Sequence, residues 1–162
     1  LYNLKMFKKD KLIFIILFFF LLSCGFTIID KSKIFNFKII ELTSSGEKRI
    51  NYLLKNQILS YSSSSEKKLI KLDLELKKNK TIKEKNIKNE ILKYDFEISI
   101  FVKYFIVNNS MQNSFEIKVS GDYPVAKSNS QTKKNEANLI DTLVQKASSQ
   151  IATKLAREVN DI

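Results

Sequence analysis

Apolar and polar residues recur with two different periods along this chain, and each change of period marks a predicted element. Residues 35–42 alternate between the two classes, which predicts a first strand. Residues 50–61 carry apolar side chains at steps of three and four, the period of an amphipathic helix. Ser44 and Glu47 have the spacing of a capping box in front of that helix, and the serine run 62–65 favours a loop after it.

Two more strands follow, on either side of a segment that is rich in lysine. Residues 70–76 alternate strictly between aliphatic and charged side chains, and residues 92–106 keep one apolar parity over a longer run. The segment between them, 77–90, holds six lysines and two glutamates. We interpret it as a solvated turn with strand extensions in preference to a ribbon that binds polyanions.

A fourth strand and a second helix complete the pattern. The strand at 115–119 meets Gly121 and Pro124, which predict an interruption, with an edge or a bulge there. The polar stretch 127–135 is expected to link it to a helix over 137–159, where apolar residues again recur at steps of three and four.

The order β-α-β-β-β-α predicts an α+β two-layer sandwich. A helical crossover makes the first two strands parallel, and the two later hairpins are antiparallel. Each helix has one apolar stripe and each strand one apolar face. We therefore expect a mixed four-stranded sheet with two helices on one face and solvent on the other.

The start of the chain has the three zones of an export signal. Lysines precede an unbroken apolar run at 12–22, which as a helix would be about 17 Å long, too short for a bilayer core of about 30 Å. Cys24, the only cysteine in the chain, stands at the exit of the signal and is expected to be the lipid attachment site. The predicted organisation is a lipoprotein signal peptide at 1–23, a lipid-anchored tether at 24–33 and a single α/β lipoprotein domain at 34–162.

The residue inventory argues against catalysis. The chain has no histidine, and its one cysteine is assigned to the anchor, so the usual nucleophile–base pairs and imidazole metal sites cannot be built. Asp73 with Glu75, and Asp95 with Glu97, alternate with other residues as a solvated strand face does. We expect no enzymatic activity, no cofactor and no metal.

The positive charge indicates the class of partner. Lysine and arginine number 28 against 17 acidic residues, a formal net charge of +11, and the arginines are Arg49 and Arg157 alone. Sequence-specific readers of nucleic acid rely on the bidentate arginine fork, so no nucleic-acid partner is expected. Lysines on an exported chain suit the anionic phosphates of a membrane or a lipid head group, with a merely solvated surface as the open alternative.

One end of the hairpin formed by the last two strands is apolar on both sides. Phe101, Phe105 and Val107 occupy the otherwise polar parity of the third strand, and Met111 lies in the following turn. Excess apolar surface of this kind marks a contact with a partner or a lipid. The alternative, equally open, is that the tether or a helix end covers it.

Three stretches give the mature chain a resemblance to a known family. They are Cys24-Gly25-Phe26, the sequence of the first predicted helix Arg49-Ile50-Asn51-Tyr52-Leu53-Leu54-Lys55-Asn56-Gln57, and the closing segment Gly121-Asp122-Tyr123-Pro124-Val125-Ala126. With the order of elements, they resemble the lipopolysaccharide-assembly lipoprotein family, LptE. Thr27-Ile28-Ile29-Asp30 stands where members of that family often have proline and tyrosine.

The resemblance implies a non-catalytic lipoprotein on the periplasmic side of the outer membrane, held there through its lipidated cysteine. It would partner the outer-membrane β-barrel LptD and help to move lipopolysaccharide to the cell surface. Lys93 and Lys103 on the third strand are then the candidate lipopolysaccharide contacts. The alternative function is that of a lipid-anchored auxiliary subunit of another envelope transport complex.

Overall fold

The six predicted elements are present in the predicted order. A computed structural model of the protein describes residues 35–62, 68–107 and 111–160; the predicted signal peptide, Cys24 and the predicted tether lie outside these residues. The elements are β1 (Lys38–Ser45), α1 (Lys48–Leu59), β2 (Leu69–Lys85), β3 (Ile91–Ile106), β4 (Met111–Pro124) and α2 (Asn129–Asn160).

The four strands form one mixed sheet in the order β1-β2-β3-β4. β1 and β2 are parallel, as expected of strands joined through α1, and the two hairpins that follow are antiparallel. A register shift between Ile39 and Glu41 is the one irregularity between β1 and β2. The predicted mixed four-stranded sheet is confirmed.

The core lies between one face of this sheet and the two helices. Leu74, Ile98 and Ile100 of the central strands are fully buried, together with Leu54 of α1 and Leu155 of α2. α1 contacts β1 and α2, and α2 contacts β4. The opposite face of the sheet carries the polar residues that alternate with the buried ones along each strand, and it is called the open face below. The two-layer sandwich with both helices on one face is therefore confirmed.

The first helix begins differently from the prediction. Ser44 belongs to β1, where it pairs with Leu74, so its hydroxyl does not cap the helix. Glu47 is itself the N-cap, and its carboxylate accepts hydrogen bonds from the backbone N–H groups of Arg49 (3.4 Å) and Ile50 (2.9 Å). The capping-box prediction was wrong because strand pairing continues through Ser45 and leaves only Gly46 between strand and cap.

β4 runs without interruption through Gly121, which pairs with Phe96. The prediction of an edge strand is confirmed, but that of an interruption or bulge there is wrong. A Cβ on Gly121 would lie 2.8 Å from Cδ1 of Leu139, so the glycine provides room for α2 to approach the strand. Gly121, predicted from the sequence to break the strand, is instead a position where β4 and α2 pack closely.

The polar stretch 127–135 is mostly helical, because α2 already begins at Asn129. Its polar side chains tie the start of the helix to the end of β4. The hydroxyl of Thr132 accepts from the N–H of Ala126 (2.9 Å), and the side-chain amide of Asn135 donates to the carbonyl of Pro124 (3.0 Å). Polarity here serves local capping and attachment, which a hydrophobic pattern does not distinguish from a loop.

Candidate contact surfaces

The predicted apolar patch lies partly on the open face of the sheet. Phe101 is 37% exposed and is flanked in register by Glu75 and Glu116, while Phe105 and Val107 are half-buried. The side chain of Met111 lies outside the described residues. The structure thus places two phenylalanines four positions apart, on the same polar surface of the sheet.

Phe105 lines a shallow depression of about 340 Å³ on this face. Its other lining residues are Glu41, Thr43, Lys71, Leu72, Asp73, Lys103, Tyr104 and Gln112. The rim is internally paired, since Lys71 forms an ion pair with Glu41 (2.8 Å) and the Thr43 hydroxyl donates to Asp73 (2.8 Å). An aromatic residue within a paired polar rim is typical of a protein contact, more than of a site for phosphate.

Lys93 and Lys103 are not brought together by the fold. Ten positions separate them on β3, which corresponds to about 33 Å along a strand. Lys93 forms an ion pair with Glu84 (3.1 Å), and the ammonium of Lys103 lies 5.5 Å from the ring centre of Phe101. These two lysines therefore do not form a single anion site.

The far end of the β2–β3 hairpin displays an apolar surface that the sequence patterns did not single out. We call residues 82–92 the hairpin tip. Ile82 is 48% exposed, Leu92 is 40% exposed, and Ile87 at the apex is fully exposed. The sequence feature that could have indicated this surface is the isoleucine within a lysine-rich turn, because a turn that only contacts solvent is normally polar throughout.

Hydrogen bonds give the turn of the hairpin tip a definite shape. The side-chain oxygen of Asn86 accepts from the N–H groups of Lys88 and Glu90, each at 2.9 Å. Asn89 adopts a left-handed conformation with φ of 66°, which asparagine tolerates better than most residues. The turn therefore presents Ile87 and Lys88 at its apex in a fixed arrangement.

The lysines of the hairpin tip differ in how far they are neutralised. Lys83 forms an ion pair with Asp122, and the ammonium of Lys85 donates to the side chain of Asn89 (2.9 Å). The ammonium of Lys88 has no hydrogen-bond or ion-pair partner among the described residues. The apex thus combines an exposed aliphatic side chain with an unpaired positive charge.

A polar cluster attaches the hairpin to α2. One carboxylate oxygen of Glu136 accepts from the ammonium of Lys80 (2.9 Å) and from the hydroxyl of Tyr123 (2.8 Å). That ammonium also lies 4.3 Å from the ring centre of Tyr94. Burial by itself raises the pKa of Glu136, but the bonds from Lys80 and Tyr123 outweigh it and hold the pKa below its usual range. The cluster fixes the base from which the tip projects.

Two general properties bear on function. In the part of the chain that the structure describes, no group of three or more His, Cys, Asp and Glu residues could hold a metal ion. None of the described helices combines the length and the apolar character needed to cross a membrane.

Comparison with known proteins identifies the fold. No protein-family model and no curated protein matches the sequence. Among solved structures, rare lipoprotein B from Shewanella oneidensis is similar with a TM-score of 0.57 and 15% identity, over 76% of this chain and 98% of that one. An uncharacterized lipoprotein B from Nitrosomonas europaea gives a TM-score of 0.57 and 13% identity, over 78% and 86% of the chains.

A candidate lipoprotein from Caulobacter crescentus is similar with a TM-score of 0.54 and 19% identity, over 76% of this chain and 90% of that one. At these identities the likeness is one of fold. The described domain therefore has the fold of rare lipoprotein B.

Proposed function

We propose that this chain is a non-catalytic, lipid-anchored lipoprotein of the outer membrane that partners an LptD-type barrel in lipopolysaccharide transport. The observation that carries the proposal is the fold shared with rare lipoprotein B, which extends over 98% of that chain. The resemblance of the helix sequence at residues 49–57 to the LptE family supports the same function. The anchor would be Cys24, where each buried acyl methylene adds about 0.8 kcal/mol of membrane affinity.

The hairpin tip is the surface that we assign to lipid. Burying an exposed isoleucine such as Ile87 in an apolar phase stabilises a complex by about 1.5–3 kcal/mol. A lysine near an anionic surface adds about 1 kcal/mol. Lys88 can contribute this interaction, because its ammonium has no partner among the described residues. Lipopolysaccharide offers both acyl chains and phosphates to such a surface.

The open face is the surface that we assign to the barrel. Phe101 and Phe105 provide apolar contact, and Lys71, Glu41 and Asp73 at the rim beside them are already paired within the sheet. Such a face can be covered by a protein wall without leaving many unpaired charges. The proposed role needs no bond-breaking chemistry, in keeping with a sequence that has no histidine.

The partnership is tested by purifying the tagged full chain from native membranes in mild detergent and identifying stoichiometric partners. A large outer-membrane barrel retained through washing is the expected result. Recovery of an inner-membrane transporter would instead support an auxiliary subunit of another envelope complex. Recovery of the chain alone would refute the proposed partnership.

The lipid assignment is tested with purified lipopolysaccharide and variants of the hairpin tip. Ile87→Asp and Lys88→Glu should each weaken binding about tenfold, because each removes an interaction worth about 1–3 kcal/mol. Lys55→Glu, an exposed charge reversal on α1, is the matched control and should bind like the wild type. Equal losses in Lys88→Glu and Lys55→Glu, which change the net charge by the same amount, would show that net charge alone governs binding, and unchanged binding in the hairpin-tip variants would refute the assignment.

A further inference from the structure

β4 has one side of its backbone unpaired along its whole length. It is the last strand of the sheet and is hydrogen-bonded only to β3, with register from Met111 to Pro124. In the ranges that the structure describes, no strand pairs with its other side. A row of backbone N–H and C=O groups is therefore presented for pairing with another strand.

The other free edges of the sheet carry a lysine run or register shifts that oppose such pairing, whereas β4 has neither. Residues 77–85 of β2 extend past the end of β1, but they hold five lysines and two register shifts. β1 has a register shift of its own and is only 8 residues long. β4 is 14 residues long, contains one lysine and shows no register shift against β3. Lysine runs and bulges are usual protections of sheet edges. The three charged residues of β4 are spread over 14 residues and its proline stands at the end of the strand, so β4 is the edge most open to a partner.

A groove runs beside this edge, between β4 and the exposed flank of α2. Its volume is about 470 Å³. Half-buried Ile117 supplies the strand side of the groove, and α2 supplies Ser149, Gln150, Thr153, Lys154, Arg157 and Glu158. A strand added to β4 would direct every second side chain toward the helix layer and therefore into this groove.

The charges in the groove specify the occupant further. The hydroxyl of Tyr104 donates to the carboxylate of Glu158, and burial and this bond raise the pKa of Tyr104 to about 12. Lys154 lies 4.4 Å from the ring centre of Phe115 and 3.9 Å from Glu158. Arg157 is exposed and has no partner among the described residues. The groove thus offers a positive charge beside the apolar surface of Ile117.

We propose that the free edge of β4 is a strand-addition site for an extended segment of a partner protein. That segment places an apolar side chain against Ile117 and an acidic side chain against Lys154 and Arg157. Backbone hydrogen bonds to β4 supply affinity that is independent of side-chain identity, and the groove supplies selectivity. The site is distinct from the hairpin tip and the open face, and it does not depend on the lipid that the protein handles.

The probe is an eight-residue peptide with threonine at odd positions and, at even positions, two valines followed by two glutamates. A second peptide with glutamates before valines tests the opposite strand direction. A third has lysines in place of the glutamates. Binding to the full chain in mild detergent is followed by fluorescence anisotropy, and amide hydrogen exchange locates the contact.

One of the two acidic peptides should bind and slow exchange in residues 111–124 but not in residues 77–85. Arg157→Glu should weaken binding about tenfold by reversing a charge in the groove, and Ser149→Trp should weaken it by filling the groove. Lys146→Glu, an equally exposed reversal on α2 outside the groove, is the control and should leave binding unchanged.

Four results would overturn the proposal. They are failure of both acidic peptides to bind, equal binding of the lysine peptide, equal effects of Arg157→Glu and Lys146→Glu, or protection located in residues 77–85. Self-association of the chain through residues 111–124, detected by sedimentation without peptide, would assign the edge to a second copy and overturn it as well.

Discussion

Replacing Gly46 with alanine tests how the end of β1 is built. Gly46 has a φ of +116°, a conformation that L side chains rarely adopt, and it separates the last residue of β1 from the cap of α1. A Cβ at this position would lie 2.3 Å from the backbone carbonyl oxygen of Leu76. Because that atom belongs to β2 and not to a flexible side chain, the backbone itself has to move.

The expected cost follows from three contributions. Holding a residue other than glycine in a sparsely populated conformation costs about 1–3 kcal/mol, and relieving the overlap with Leu76 costs about 1–3 kcal/mol more. The less flexible unfolded chain returns about 0.4–1 kcal/mol. The free energy of unfolding should therefore fall by about 1–5.5 kcal/mol, a substantial part of the 5–15 kcal/mol that a domain of this size usually has.

The assay is equilibrium unfolding in urea, followed by circular dichroism. With a slope of about 2 kcal/mol per molar, the midpoint of Gly46→Ala should fall by at least about 0.5 M. Gly121→Ala is the matched control, because its Cβ would meet only the tips of Leu139 and Leu143, at 2.8 and 3.7 Å. Since alanine is favoured over glycine in a strand by about 0.5–1 kcal/mol, that variant should stay within about 1 kcal/mol of the wild type. An unchanged midpoint for Gly46→Ala, or an equal loss in both variants, would refute the reasoning.

Three further predictions concern the polar cluster, the open face and the helix cap. Because its folded pKa is lowered, Glu136 contributes stability at neutral pH that is lost as the pH falls below about 4.5 through that folded pKa. Glu136→Gln should lower stability at pH 7 by about 1 kcal/mol and flatten its acid dependence, and an unchanged urea–pH profile would contradict this. Phe105→Lys should weaken retention of the barrel in the pull-down without changing the unfolding midpoint; unchanged retention with lost stability would show that Phe105 is core. Glu47→Ala should cost about 1 kcal/mol, seen as a lower thermal midpoint, and Glu47→Asp should recover most of it if capping is the cause.

Most of the fold could be predicted from the sequence because each element buries one face. The alternation at 70–76 and the steps of three and four in α1 are local patterns, and each fixes which side of its element meets the core. Six such elements in this order leave a two-layer sheet-and-helix sandwich as the natural way to bury every apolar face. The errors occurred at element ends, where Ser44 and residues 127–135 have local partners that periodicity does not show.

The candidate surfaces could be predicted only in part. The apolar patch at Phe101 and Phe105 was visible in the sequence, because these residues occupy positions of the third strand where the alternation predicts polar side chains. The hairpin tip was not, because its exposure depends on β2 extending beyond the end of β1. The anchor at Cys24 stays a prediction of the sequence, outside the described residues.

The sequence by itself determined the type and order of the elements and the face of each that is buried, because these follow from spacing within a few residues. Only the tertiary structure decided which lysines are neutralised and which strand edge is free. The partner of Lys80 lies 56 positions away at Glu136, and that of Lys83 lies 39 positions away at Asp122. A charge or a backbone edge becomes available to a ligand only when folding leaves it without a partner, and that outcome depends on residues far apart in the chain.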